Sequence, residues 1–226
     1  MTIRIDFHVH THYSPDSIID PRRLAEKSRR LGIIPAITDH YSIEAHEAVR
    51  KTGMGFIPGE EILTDRGDLI GLFVNELIPK GTPFLEAIDR VHEQGGLTYL
   101  PHMYDYGRSG KHASDAEAAK ADIIEAFNAR CMRTEFNEKA EAFARKHGKP
   151  MAAGSDSHFL FEFGKTYTEL PDFELNSENP KALLKALAKA KLVTKKGPIY
   201  ARGVTKLISM AKKTAWRLRP RVPKPI

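Results

Sequence analysis

The first apolar run of the chain, Ile3 to Val9, closes in Asp6-Phe7-His8-Val9-His10, and five later runs close in residues of the same kind. Thr38-Asp39-His40, Gly59-Glu60-Glu61, Pro101-His102, Phe127-Asn128 and Gly154-Ser155-Asp156-Ser157-His158 each follow a short segment that reads as a buried strand. Side chains two apart on a strand share a face, so His8 and His10 can converge on one cation. Ligand types spread over many strand ends describe a metal centre at the mouth of a barrel.

The segments between these runs read as helices. Asp20-Pro21 supplies an N-cap and a first-turn proline for a helix to about Leu31, where Gly32 stops it. Ile33 to Thr38 follows as a strand, 43 to 51 as a helix, 55 to 58 and 69 to 74 as strands, and 82 to 94 as a helix ending in Gly95-Gly96. Leu97 to Leu100, 122 to 127 and 151 to 154 read as strands, with helices over 114 to 120 and 134 to 147. Alternation on this scale predicts an α/β fold with a mostly parallel sheet and helices outside, and in such folds the C-terminal strand ends carry the chemistry.

Composition narrows the classes. The length of 226 residues suits one core, and no apolar run reaches the roughly 18 residues of a membrane span. The first strand starts at Ile3, so no signal peptide is expected, and a lone cysteine, Cys131, fits a reducing compartment; a cytoplasmic protein without a membrane partner is the expectation. The net charge of +6 hides an asymmetry: 14 Lys/Arg and no acidic residue follow from Lys181 onward, leaving 21 basic against 29 acidic side chains before it. An acidic body suits a site that gathers divalent cations.

Asp6-x-His8-x-His10-Thr11, Ser14-Pro15-Asp16, Thr38-Asp39-His40, Gly59-Glu60, His102, Asn128-Ala129-Arg130 and Gly154-Ser155-Asp156-Ser157-His158 together resemble the PHP (polymerase and histidinol phosphatase) family over roughly residues 3 to 170. Phe161-Glu162-Phe163-Gly164 resembles the segment that closes stand-alone members of phosphoesterase type. The resemblance implies a distorted seven-stranded β/α (TIM-like) barrel. With its closing segment this is expected over residues 1–200, followed by a basic amphipathic helix and Pro-rich tail over 201–226.

It also implies two or three divalent metal ions. His8, His10, Glu60 and Asp156 would hold one, Glu60, His102 and Asn128 a second, and Asp16, His40 and His158 a third. Glu61 competes with Glu60, because alternation points neighbours to opposite sides. Asn128 departs from members with Cys or His there, and an amide donates less strongly. Mixed His and carboxylate ligation suits Mn, Zn or Fe better than Ca.

The implied reaction is hydrolysis of a phosphomonoester or phosphodiester by a hydroxide bridging two cations. Arg130 and Arg108 are candidate phosphate binders, His12 a further substrate contact, and Asp39 either orients an imidazole or faces the leaving group. A small phosphorylated substrate, a nucleotide or short oligonucleotide by preference, fits the basic end of the chain. The alternatives are a metal-dependent amidohydrolase, which would bring a bridging Lys, and a non-catalytic RNA- or protein-binding scaffold, which would have no need of nine competent ligand positions.

His46, His92, His112 and His147 lack such support. Val204, Leu207, Ile208, Ala211, Ala215 and Leu218 recur at helical spacing, which predicts a helix packed on the barrel, with nucleic acid and then membrane as further candidates for its cations. Arg219 to Ile226, with three prolines, is expected to be extended or disordered.

Overall fold

In the computed structural model, which describes residues 2–108, 110–176 and 179–217, the apolar runs form one curved sheet in the order β7-β6-β5-β4-β3-β2-β1-β8-β9. In chain order the elements are β1 (Thr2–Val9), α1 (Pro21–Leu31), β2 (Ile34–Ile37), α2 (Ala45–Arg50), β3 (Ile57–Thr64), β4 (Gly67–Leu72), α3 (Phe84–Glu93) and β5 (Leu97–Leu100). Then come α4 (Asp115–Ala118), β6 (Ile123–Asn128), α5 (Thr134–Lys146), β7 (Met151–Gly154), β8 (Tyr167–Pro171), α6 (Lys181–Leu187), β9 (Lys191–Val193) and α7 (Tyr200–Arg217). The anticipated Pro-rich tail lies outside the described residues.

The sheet nearly closes into a barrel. His10 N donates to Ser157 O at 3.0 Å and Ala153 N to Thr168 Oγ1 at 2.9 Å, so the end of β1 meets the end of β7 while β8 fills the seam below. Nine strands stand where seven were expected, because the segment after the last motif adds β8 antiparallel to β1 and β9 antiparallel to β8. A second departure lies at β3. It runs to Thr64, turns through Asp65-Arg66 and returns as antiparallel β4, which pairs antiparallel with β5. None of the described residues forms a helix long and apolar enough to cross a membrane.

Local chemistry explains where elements start and stop. Asp20 accepts from the backbone N–H groups of Arg22 and Arg23 to open α1 behind Pro21, and Gly32 at φ 63° closes it in a left-handed turn that costs a glycine little. Ile5, Phe7, Ile57, Ile70, Leu72 and Tyr99 fill the barrel, with Leu183 and Leu187 of α6 packed into the same cluster. Val9, Ile19, Leu24 and Val49 form a separate cluster under α1 and α2.

Phe7 thus belongs to the interior, as does His8, although they are neighbours. The reason is a register shift between Asp6 and Val9 in the pairing of β1 with β2, an irregularity of the kind that re-aims side chains at barrel rims. A second shift lies between Glu125 and Phe127 on β6.

The helix α7 lies on the barrel, but of its predicted apolar stripe Val204, Leu207 and Ala211 are exposed and Ile208 turns to the protein, while the side chain of Ala215 and all of Leu218 lie outside the described residues. Ala201, Thr205, Ile208 and Lys212, spaced along one side, face the protein, whereas Tyr200, Leu207 and Met210 are 66%, 65% and 58% exposed. The barrel rim here offers carbonyls and charges, and a polar helix side satisfies them better than leucines would.

Candidate metal centre

The two imidazoles at the end of β1 meet: His8 Nε2 and His10 Nε2 are 3.1 Å apart in a fully buried setting. Neighbouring groups decide where their protons lie. Ser14 Oγ gives its one hydrogen to Asp39 Oδ1 at 2.6 Å, so at 3.2 Å it accepts from His10 Nδ1, which leaves His10 Nε2 as a bare lone pair. Burial, reinforced by His158 and His40, pushes the His10 pKa down to about 3, so this ring is neutral. Glu125 Oε1 takes the Nδ1 proton of His8 at 3.0 Å and aims that ring's Nε2 into the same space, while Asp156, Glu61 and Glu125 outweigh burial and raise the pKa of this ring, so a cation arriving there displaces the Nε2 proton.

A single carboxylate organises this space. Glu61 Oε2 lies 3.3 Å from both His8 Nε2 and His10 Nε2 and 3.1 Å from His40 Nδ1, while its Oε1 lies 3.1 Å from His102 Nε2. Burial disfavours its charge, but His40 and His8 outweigh burial and hold its pKa well below the usual carboxylate range. The expected ligand Glu60 is on the other side of the strand. Glu61 follows Ile57 and Gly59 on the inward face and pairs with Ile70 of the barrel core, whereas Glu60 alternates with Ile62, which packs beneath α3. Glu60 Oε2 accepts from Ile78 N at 2.9 Å and its Oε1 is buried without a partner.

Asp156 faces Glu61 across the cluster. Its Oδ1 lies 3.4 Å from His10 Nε2 and from His158 Nδ1, and its Oδ2 lies 2.7 Å from Arg108 Nη2. Burial works against the charge, yet Arg108 and His8 keep this carboxyl well below its ordinary range. On the third flank, His158 Nδ1 donates to Asp156 O at 2.8 Å, which points its Nε2 at Asp16 Oδ2, 3.1 Å away; His40 Nε2 is 3.7 Å from the same oxygen. His158 and His40 outweigh burial and lower the pKa of Asp16.

The donor set fits divalent cations. An unprotonated imidazole nitrogen and a carboxylate oxygen facing each other at about 3 Å are two acceptors, and a shared cation satisfies both. Asp16 Oδ1 and Asp156 Oδ1 are buried with no hydrogen-bond partner. Among the described residues, four groups of atoms are close enough to share ions: His8, His10 and Glu61; His8, His102 and Asp156; His10, His40 and His158; and Glu61, Asp68 and His102. Asp68, not singled out from the sequence, shares the inward face of β4 with Ile70 and Leu72; burial and then Glu61 raise its pKa.

Backbone strain marks the same places. His102 at φ 31° and Asp156 at φ 53° hold left-handed conformations, and Tyr41, which follows His40, does so at φ 55°. Such conformations cost non-glycine residues on the order of 1 kcal/mol or more and persist where the surroundings enforce them. Gly154 must lack a side chain, since a Cβ there would collide with Glu125 Oε1 and His8 Cβ.

Other expected residues divide. Asn128 stands in the cluster, but Nδ2 donates to Glu125 and Asp156 and Oδ1 accepts from Arg130 N at 2.8 Å and Arg108 Nη2 at 3.2 Å. Both lone pairs are taken, so it serves as a bracket between side chains, and Asp68 offers the open oxygen on that flank. Asp39 accepts from Thr11 N and Ser14 Oγ on Oδ1 and from Thr11 Oγ1 on Oδ2, and through Ser14 it is linked to His10 Nδ1. Arg108 and Arg130 reach the cluster, Arg130 with Nη1 3.5 Å from Asp156 O and Nη2 3.1 Å from Thr205 Oγ1. His12 is exposed, stacks on Tyr13 and lines a groove with Pro21, Arg22 and Lys51, away from the ligand groups. Glu125 also escaped notice; a carboxylate in the middle of the apolar run 123 to 127 was the signal that could have found it.

The chain is similar to known proteins in sequence and in fold. The chain is 41% identical over 186 residues to the Methanocaldococcus jannaschii protein MJ0417, covering 79% of this chain and 74% of that one. It is 28% identical over 138 residues to a 5'-3' exoribonuclease of Haemophilus influenzae, covering 54% of this chain and 49% of the enzyme. The fold matches a two-domain protein from Bacteroides vulgatus containing a predicted PHP-like metal-dependent phosphoesterase, with TM-score 0.69 and 17% identity over 85% of this chain and 64% of that chain. Residues 134–192 match the family model for PHP-associated segments. The chain belongs to the PHP (polymerase and histidinol phosphatase) family.

Proposed function

We propose that this protein is a metal-dependent hydrolase of phosphate esters, with two or three divalent ions of the Mn, Zn or Fe type. The observation that carries the reading is the convergence of imidazole nitrogens on the two oxygens of Glu61, with Arg108 and Arg130 beside them. His8, His10, Glu61 and Asp156 would hold one ion, Glu61, Asp68 and His102 a second, and Asp16, His40 and His158 a third. Ions there would supply Lewis acidity toward a phosphoryl oxygen.

The chain's own residues do the rest. Glu125 and the Ser14–Asp39 pair hold the Nδ1 protons of His8 and His10, so that Nε2 is the atom each ring offers to an ion. Arg108, whose pKa is raised chiefly by Asp156 against the effect of burial, stays cationic at any working pH and can fork onto phosphoryl oxygens. Arg130 is held against Asp156 O and Thr205 as the second such donor. A nucleotide or short oligonucleotide is the favoured substrate class. Its support is the likeness to the Haemophilus influenzae exoribonuclease and the 14 Lys/Arg residues from Lys181 onward.

The test is phosphate release from nucleotides, 3′,5′-bisphosphates, histidinol phosphate and a short RNA, with Mn²⁺, Zn²⁺ or chelator, comparing wild type with Asp156→Asn. Metal-dependent turnover that disappears in the variant is expected. A folded wild-type protein that takes up no divalent ion would sink the reading.

A further inference from the structure

Lys212 on α7 has a bonding pattern that the hydrolase reading does not use. Its ammonium donates to three backbone carbonyls, His12 O at 3.0 Å, Ser14 O at 2.8 Å and Ser17 O at 2.7 Å. An ammonium has three hydrogens, and all three are spent on a loop that lies about two hundred positions away in the chain.

That loop joins the flanks of the cluster. Ser14 Oγ bonds His10 Nδ1 and accepts from His40 N at 3.0 Å, and Ser17 Oγ bonds His10 O and His158 O at 3.1 Å each. Between them stands Asp16, which reaches His158 and His40. Three carbonyls aimed at one point repel each other unless a cation sits there, so the loop's conformation and the position of Lys212 depend on one another. The same helix ties down the opposite flank: Arg202 bonds Asp105 Oδ2 at 2.8 Å, which also holds Arg108, and Thr205 holds Arg130.

We propose that Lys212 is a positioning residue, and α7 the strap that carries it: the ammonium sets the 12–17 loop so that Asp16 completes the ion site with His40 and His158. The inference rests on the reading of the cluster as a metal centre, but it assigns to the C-terminal helix a part in building that centre. Binding nucleic acid or a membrane through this lysine is then not its role, because its hydrogens point into the protein.

The experiment is metal uptake by isothermal titration and by elemental analysis after gel filtration, on the full chain, for wild type, Lys212→Met, Lys212→Arg and Lys206→Met, with circular dichroism for each. Methionine keeps the length and apolar stem of lysine and removes the donors. Lys206 lies on the same helix, exposed, and serves as the control. Lys212→Met is expected to lose affinity for one equivalent by about tenfold or more while the other equivalents are unchanged, the scale on which groups that orient ligands act. Lys212→Arg should recover part of that loss, and Lys206→Met should match wild type. Identical titrations for wild type and Lys212→Met overturn the positioning role alone. A uniform loss of every equivalent together with a lowered melting temperature also overturns it, in favour of a general structural role. Wild-type protein that binds no divalent ion removes the metal centre and this proposal with it.

Discussion

The two faces of β3 set adjacent residues of one type against each other. Glu60 and Glu61 are both almost without solvent exposure, at 0% and 1%. On the inward face Glu61 meets four histidines, and its pKa falls well below normal in spite of burial. On the outward face Glu60 has one backbone N–H from Ile78 to offset burial, and its pKa rises from 4.5 to about 7. Burial alone therefore fixes neither the charge nor the role of a carboxylate; the groups it faces do. A buried glutamate is evidence of a site only when its oxygens have somewhere to go.

The largest expected effect breaks this comparison on the inward side. Glu61→Gln keeps the shape and removes the charge shared by two of the proposed ion groups. Several kcal/mol of transition-state stabilisation should go with it, a fall in turnover on the order of a thousandfold. Elemental analysis should show fewer ions per chain. Glu60→Gln should leave both measurements within a factor of about two, as expected of a site that touches no ligand. If the two variants exchanged these phenotypes, the strand's inward face would have been assigned to the wrong residue.

On the outward side the effect is on stability, and its sign is opposite. Between pH 4.5 and about 7 the unfolded chain gives up the Glu60 proton while the folded chain keeps it. The folded state then binds more protons, so stability falls as pH rises through this window, by a total on the order of 3 kcal/mol. Below pH 4.5 the contribution is neutral, and above about 7 the full penalty is present. Glu60→Gln carries no such proton and keeps an acceptor for Ile78 N. The variant should match wild type near pH 4 and exceed it near pH 8. Urea denaturation at several pH values in chelator reads the difference, and parallel curves across that range would refute the assignment.

The sequence carried the centre unevenly, and these two glutamates show why. His8, His10, His40, His102, Asp156 and His158 stand at strand ends where the change from apolar to ligand-type residues is abrupt, and all six meet in space. On β3 the choice was symmetrical. Both alternating sets, Ile57-Gly59-Glu61 and Pro58-Glu60-Ile62, contain one isoleucine and one glutamate, and the face is decided by pairing with β2 and β4, which local composition does not contain. The strand was also expected to stop at 58, although Asp65-Arg66-Gly67, with Gly67 at φ 98°, is the turn signal that extends it into a hairpin. Asp68 was missed for the same reason, although its alternation with Ile70 and Leu72 held the clue. The register shifts on β1 and β6 set which neighbours face inward, and they depend on partner strands. On α7, helical spacing was visible in the sequence but the docked side was not, because the rim it meets is polar.

Asp68→Asn supplies the smallest and finest test of the comparison, since Asp68 joins the inward environment of Glu61 to a raised pKa like that of Glu60. Burial and the Glu61 charge both favour its protonated form, while His102 and His40 oppose them incompletely. A cation entering the group of Glu61, Asp68 and His102 must therefore displace that proton, which spends part of the binding energy and makes uptake weaker at low pH. Asparagine offers a carbonyl oxygen and has no proton to displace. The variant should lose about tenfold in affinity for one equivalent at pH 8, or about 1.4 kcal/mol, and less as the pH falls toward the raised pKa of wild-type Asp68. Titrations at pH 8 and at lower pH, in buffers of different ionisation enthalpy, read both the affinity and the protons released. An unchanged proton count would separate Asp68 from the ion group and leave it as a neutral neighbour of Glu61, in the manner of Glu60.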